Sequence, residues 1–313
     1  MKTKQLGNSD LEVSVVGLGC MMFGLMCDEE KTAAVINTAL DEGINFFDTA
    51  DIYGHPPGAS EQLVGKALGA KRKDIILTTK FGAQSGGRGG SAEGNGSRAY
   101  IMEHIEQSLQ NLNTDYLDLY QYHFPDVNTP AEETLRALED LVQSGKVRYI
   151  GCSNMNGAQL QEALAAADAA GTSKYVSAQN WYSLLTRNMV ADLLPVAKAA
   201  NISLIPYFPL ESGLLTGKYR KGQENPEGSR FAQWGDGFKT DDKMDKVEAL
   251  IAYADSIDMS MLDLAMGGLT NRSYVATVIA GVTKPEQISQ NVAAGNVELS
   301  AEQLAEIDNI CTA

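Results

Sequence analysis

Short runs rich in β-branched and aromatic residues alternate with longer stretches of helical period along the 313-residue chain, which is the pattern of βα units around a parallel sheet. The strand-like runs are VVGLGCM from Val15, NFFDTA from Asn45, IILTTKF from Ile75, YLDLYQYH from Tyr116, VRYIGCS from Val147, VSAQNWY from Val176, SLIPYFPL from Ser203 and TVIAGV from Thr277. Helical stretches such as 30–42, 99–112, 131–144, 157–170 and 188–200 fall between them. That count predicts an α/β fold of the (β/α)8 TIM-barrel type and favours a closed barrel over an open sheet. The opening segment TKQLGNSDLEVS has a turn-rich centre between alternating apolar residues, which predicts a β-hairpin ahead of the first barrel strand, suited to plugging the barrel's bottom. No internal repeat or composition shift marks a boundary, so 1–313 is read as one barrel domain.

Two connections exceed the short loops usual in α/β units, 82–97 and 211–240. The first holds seven glycines and three serines, so it offers almost no apolar surface to bury. Because it follows the third strand, on the side where barrels build their sites, it is expected to act as a lid over the mouth.

The strand ends carry the chemistry. Strand two ends in Asp48 with Tyr53 just beyond, strand three ends in Lys80 and strand four in His123. An aspartate at a strand end is ordinarily a helix cap, a lone lysine is solvated and a lone histidine is a satisfied core residue. Together on three adjacent strands, an acid, a phenol, an amine and an imidazole are what proton transfer to a carbonyl oxygen needs. An ammonium about 4 Å from a phenolate supplies about 4 kcal/mol at an effective dielectric of 20, enough to lower a tyrosine pKa by about three units. Lys80 is therefore expected to tune Tyr53, with Asp48 keeping the lysine charged. Asp51 is read as a helix cap or loop anchor.

Composition removes other classes. A net charge of −15 opposes any sequence-independent hold on nucleic acid or anionic lipid, and no apolar run approaches a membrane span. Four scattered cysteines and an opening segment without a signal-like apolar core point to a cytoplasmic protein with free thiols. His55, His104 and His123 have no ligand spacing, so no metal is expected. The dinucleotide fingerprint fails too, because the third glycine of a G-x-G-x-x-G from Gly17 would fall on Met22. No tyrosine is followed four residues later by lysine, as the short-chain dehydrogenase signature requires.

Seven ordered motifs, FFDTADIYG…SEQLVGKAL, TTKFG, TDYLDLYQYHFPD, GKVRYIGCSN, AQNWYSLL, PLESGLLTGKY and GVTKPEQISQN, make the chain resemble the aldo-keto reductase superfamily over nearly its whole length. The resemblance implies an NAD(P)H-dependent reductase of aldehydes and ketones, with Asp48, Tyr53, Lys80 and His123 as its catalytic tetrad and Tyr53 as proton donor. It implies that Ser153, Asn154 and Gln179 bond the nicotinamide carboxamide while Tyr207 stacks on the ring. Leu210, Gly213, Lys218 and Arg230 would meet the rest of the cofactor, and Gly281, Thr283, Lys284, Gln287 and Asn291 its adenosine end. NADP(H) is the expected cofactor, with NAD(H) possible, since Gly281 and Gln287 stand where some branches carry a lysine and an arginine. Met22, Phe23, Phe124 and Trp181 would line an apolar substrate pocket. The expected partner is a small carbonyl compound, and a homo-oligomer is compatible with the resemblance. Three other readings stay open: a cofactor-binding regulatory subunit like the potassium-channel β-subunit branch, a barrel aldolase forming a Schiff base on Lys80, and a structural barrel that binds no cofactor.

Overall fold

The computed structural model describes residues 1–83, 93–229, 231, 232, 235, 237 and 239–312. A hairpin of β1 (Thr3–Gln5) and β2 (Glu12–Ser14) precedes eight parallel strands: β3 (Val16–Gly19), β4 (Phe46–Asp48), β5 (Ile76–Phe81), β6 (Leu117–Tyr122), β7 (Val147–Ser153), β8 (Ser177–Trp181), β9 (Ser203–Tyr207) and β10 (Val278–Gly281). β10 pairs with β3, and the ring closes through a bridge between Leu204 and Val275 just ahead of β10. The expected barrel and hairpin are both present.

Helices α1 (Glu29–Asp41), α2 (Ala59–Leu68), α3 (Arg98–Leu112), α4 (Ala131–Gln143), α5 (Gly157–Ala170) and α6 (Asn188–Ala199) follow β3 to β8 in turn. Their ends obey local chemistry: α5 opens on a reciprocal cap between Asn156 and Gln159 and stops at Gly171, whose φ is 66°. Between β9 and β10 the chain forms a short turn (Glu211–Thr216), then α7 (Asp241–Ser256) and α8 (Met261–Thr270); α9 (Pro285–Gly295) and α10 (Ala301–Thr312) close the sequence of elements.

Alternation along each strand sorts its side chains into two environments. Leu77, Phe81, Tyr120 and Tyr122 face the helices, whereas Ile76 and Leu119 face the barrel axis with Phe46, Ile205 and Ile279. Hairpin residues Leu6, Leu11 and Val13 insert into this second group and seal the lower end, each contributing about 1.5–3 kcal/mol by burial. Lys4 ties the hairpin down by donating to the carbonyls of Thr270, Arg272 and Val275, and burial pulls its pKa to about 8.

The axial columns change character upward. Above Ile76 come Thr78 and Lys80, and above Leu119 comes Gln121, so apolar packing gives way to polar groups towards the C-terminal ends. Gly151 makes this layer possible, because a Cβ there would lie 2.5 Å from Ser177 Oγ and 3.1 Å from Gln121 Cγ. Near the opposite end, Asp118 is ion-paired with Arg72 at 2.8 Å and accepts from Arg148 and the Leu77 amide at 2.9 and 3.0 Å.

Candidate active site

At the C-terminal rim the ammonium of Lys80 has three directed contacts: Asp48 Oδ2 at 2.6 Å, the Thr49 carbonyl at 2.8 Å and Tyr53 Oη at 3.5 Å. Asp48 Oδ1 accepts from Gln121 and Gln179 at 3.2 and 2.8 Å, so every donor a buried carboxylate requires is present. Tyr53 returns over Lys80 because the chain after β4 continues to follow β5, with Thr49 N–H bonded to Thr78 O and Asp51 N–H to Lys80 O. The His123 ring meets the Tyr53 ring edge-on at 5.8 Å. The rim therefore brings together the four residues expected from the strand ends.

Their protonation follows from burial and charge. Burial draws the Lys80 pKa down, but Asp48, aided by Tyr53, outweighs it and holds the group above its ordinary value as an ammonium. Burial, reinforced by Lys80, drives His123 well below its ordinary range, which leaves a neutral imidazole whose Nδ1 has no hydrogen-bond partner. For Tyr53 the expectation of a lowered pKa is corrected. Lys80 pulls it down, but burial pushes harder and Asp48 adds to it, so the phenol stays above its ordinary value and keeps its proton.

Beside the tetrad, Asn154 Nδ2 donates to the His123 carbonyl and to Ser153 Oγ, while its Oδ1 accepts from Tyr207 Oη at 2.7 Å. Ser153 Oγ donates to the Gln179 carbonyl at 2.8 Å. The four residues expected around a carboxamide are thus adjacent, although the Gln179 amide N–H is spent on Asp48. Beyond Tyr207, Glu211, Ser212 and Gly213 have φ of 48°, 58° and 102°, a left-handed turn of the kind that makes concave anion sites. At Gly213 that φ favours glycine, and a Cβ there would sit 3.7 Å from Lys218 Nζ. A turn this shape with an ammonium at its edge fits a phosphate, and the Leu210 carbonyl braces it by accepting from Gly213 and Leu215.

At the far end, Gln287 Oε1 accepts from the amides of Thr283 and Lys284 at 2.8 and 3.1 Å, so these two amides are occupied by the chain itself. Lys284 and Gly281 are exposed and Asn291 is buried. Arg230 and residues 84–92 of the glycine-rich connection lie outside the described residues, and the lid expectation falls on them.

The residues expected to line a substrate pocket fall into two groups by burial. Phe23 is fully buried and Met22 nearly so, and both pack into the helix-facing core. Phe124, stacked on His123 at 4.9 Å, and Trp181, which meets Phe208 edge-on at 5.8 Å, are half-buried. Phe208 escaped the sequence reading because nothing in an apolar run marks its left-handed φ of 51°. Asp51 is a loop anchor: its Oδ2 lies 3.0 Å from His104 Nδ1, and both line a separate cavity of about 470 Å³ between α2 and α3. Among the described residues no group of three or more potential metal ligands converges, and no helix is long and apolar enough to cross a membrane.

An acid, a phenol, an amine and an imidazole thus sit together on the C-terminal rim of a parallel (β/α)8 barrel. The family model for the aldo/keto reductase family matches residues 15–311, and the chain belongs to that family. It is 35% identical over 309 residues to a probable voltage-gated potassium channel subunit beta of Arabidopsis thaliana, covering 95% of this chain and 92% of that one. It is 33% identical over 323 residues to an L-glyceraldehyde 3-phosphate reductase of Escherichia coli O157:H7, covering 98% and 92%. Among solved structures, the holo form of the aldo-keto reductase AKR11C1 from Bacillus halodurans superposes with a TM-score of 0.82 at 35% identity, covering 99% and 96%.

Proposed function

We propose that the chain reduces aldehydes and ketones to alcohols with NADPH as preferred reductant, Tyr53 delivering the proton. The observation that carries this reading is the third contact of Lys80: an ammonium fixed by Asp48 and Thr49 has one hydrogen left, aimed at the Tyr53 phenol 3.5 Å away. When bound, a reduced nicotinamide supplies the hydride to the carbonyl carbon. Tyr53 donates its proton to the oxygen, whose developing alkoxide is a far stronger base than a phenolate, so an elevated phenol pKa is no obstacle. Lys80 stabilises the phenolate left behind, and neutral His123 orients the carbonyl. Asn154 and Tyr207 would border the nicotinamide, Gly213 and Lys218 would meet phosphate, and Lys284 would meet the 2′-phosphate that distinguishes NADPH from NADH. The aromatic wall of Phe124, Trp181 and Phe208 suits carbonyls with apolar or aromatic bodies.

Absorbance at 340 nm tests the reading directly: the protein should oxidise NADPH in the presence of 4-nitrobenzaldehyde and related aldehydes. A panel of carbonyls that produces no consumption would reject it. Tight NADPH binding with negligible turnover would favour the regulatory alternative, to which the potassium-channel subunit relatives lend support. Schiff-base chemistry is disfavoured because Lys80 is held as an ammonium, and an amine must lose its proton to attack.

A further inference from the structure

The turn after β9 contains a carboxylate that the reduction does not use. Glu211 has a fully buried side chain, and its oxygens accept from three donors on other elements. Trp181 Nε1, at the end of β8, lies 3.0 Å from Oε1; Ser183 Oγ lies 2.5 Å from the same atom; Lys243 Nζ, from α7, lies 2.8 Å from Oε2. The Lys243 ammonium also stands 5.6 Å over the Trp181 ring. Glu211 itself has a φ of 48° between Phe208 at 51° and Ser212 at 58°. Non-glycine residues in this region persist only where their surroundings over-determine them, and here the carboxylate's partners do so.

These contacts join two parts of the site. Through its backbone Glu211 belongs to the turn that includes Gly213, and through its carboxylate it holds the indole that forms the pocket wall. With the N–H bonded to Glu211, the Trp181 ring is fixed against Phe208, which in turn meets Tyr207 edge-on at 5.4 Å. We propose that Glu211 is a positioning residue coupling the phosphate-binding turn to the Trp181 indole, so that cofactor binding sets the wall against which aromatic carbonyls are selected. The inference rests on the proposed reductase reading for its kinetic consequence, but not for its structural one.

The test uses the full chain with Trp234→Phe as background, which leaves Trp181 as the sole tryptophan. Without cofactor, Glu211→Ala should red-shift Trp181 emission and raise its quenching by acrylamide. On titration with NADP⁺, emission should change in the background protein and stay constant in Glu211→Ala, with calorimetry verifying that NADP⁺ still binds. For an aromatic aldehyde, Glu211→Ala should raise KM about tenfold with kcat changed less than about threefold. That effect should vanish when Trp181→Phe is already present, because coupled residues are not additive. Glu211→Gln keeps an acceptor for the indole and loses the Lys243 charge pair; it should fall between, and it carries the same measurements if the alanine variant does not fold. The proposal is overturned if Trp181 emission follows NADP⁺ equally in the variants, if KM is unchanged, or if the loss persists undiminished without Trp181. A protein that consumes no NADPH but meets the emission expectations would sink the reductase reading and spare the coupling. Normal turnover with insensitive emission would do the reverse.

Discussion

Asp48 near the C-terminal rim and Asp118 near the opposite end are buried alike, each side chain 3% exposed, yet they are met by different cations. Asp118 has two guanidinium groups and a backbone amide, and its partners Arg72 and Arg148 cannot give up a proton at any working pH. Asp48 has one ammonium and two side-chain amides, and that ammonium is shared with a titratable phenol. The lower centre is a joint between strands. The upper one, at equal burial, leaves an imidazole nitrogen without a hydrogen-bond partner beside a phenol that keeps its proton. Burial by itself therefore does not separate structure from chemistry; what does is whether a proton can move among the partners.

The largest break in this contrast should come from Tyr53→Phe, which leaves both carboxylates paired and removes the proton proposed to reach the carbonyl oxygen. Carbonyl reduction should fall about 10²–10⁴-fold with NADPH affinity nearly intact, and turnover equal to the parent would discard the tetrad. Asp118→Asn tests the other side. It should cost about 3 kcal/mol of stability, mostly through Arg72 at 10% exposed and little through Arg148 at 41%, while activity per folded molecule is kept. Chemical denaturation paired with active-site titration would read both quantities.

His123 sharpens the comparison through pH. Its folded pKa is depressed, so below its unfolded value near 6.5 the unfolded chain takes up a proton that the native site refuses. Stability should therefore be fully present above about pH 6.5 and fall by up to about 1.4 kcal/mol per pH unit below it. Denaturant melts between pH 7 and 5 should show that slope lessened in His123→Gln; parallel curves would remove the histidine from the account. The smallest effect belongs to Lys284→Ala, expected to weaken NADPH about threefold, as befits an exposed ion pair, with NADH unaffected. Equal losses for both cofactors would assign the 2′-phosphate elsewhere.

Much of this was legible beforehand, for identifiable reasons. Period-two alternation and strand ends brought Asp48, Lys80 and His123 to one rim because a barrel leaves a polar strand-terminal residue no other place to point. Phe23 and Met22 mark the limit of such reading, because an apolar side chain after a strand gives the same pattern whether it lines a pocket or packs beneath a helix. The Tyr53 pKa was misjudged because pairwise attraction to Lys80 can be written from sequence, whereas desolvation needs the surrounding atoms. Helix α7 did carry a signal, with Met244, Val247, Leu250, Ile251 and Ala254 buried at helical spacing, but the long connection ahead of it drew the eye. Glu211 carried none, since its three donors lie 28 to 32 residues away.

The hairpin that seals the barrel also imposes an order of events during synthesis. Leu6, Leu11 and Val13 are made before most of the barrel, but their packing partners include Val176, Ile205, Ala276 and Ile279, and the carbonyls that receive Lys4 belong to residues 270–275. Until those later strands are made, these apolar side chains have only part of their native packing, against Phe46, Ile76 and Leu119, and long-range closure of this kind is slow and exposes unpaired surface meanwhile. The nascent chain thus carries its stopper long before there is a bottle to close, and a chaperone that shields the hairpin would act over that interval.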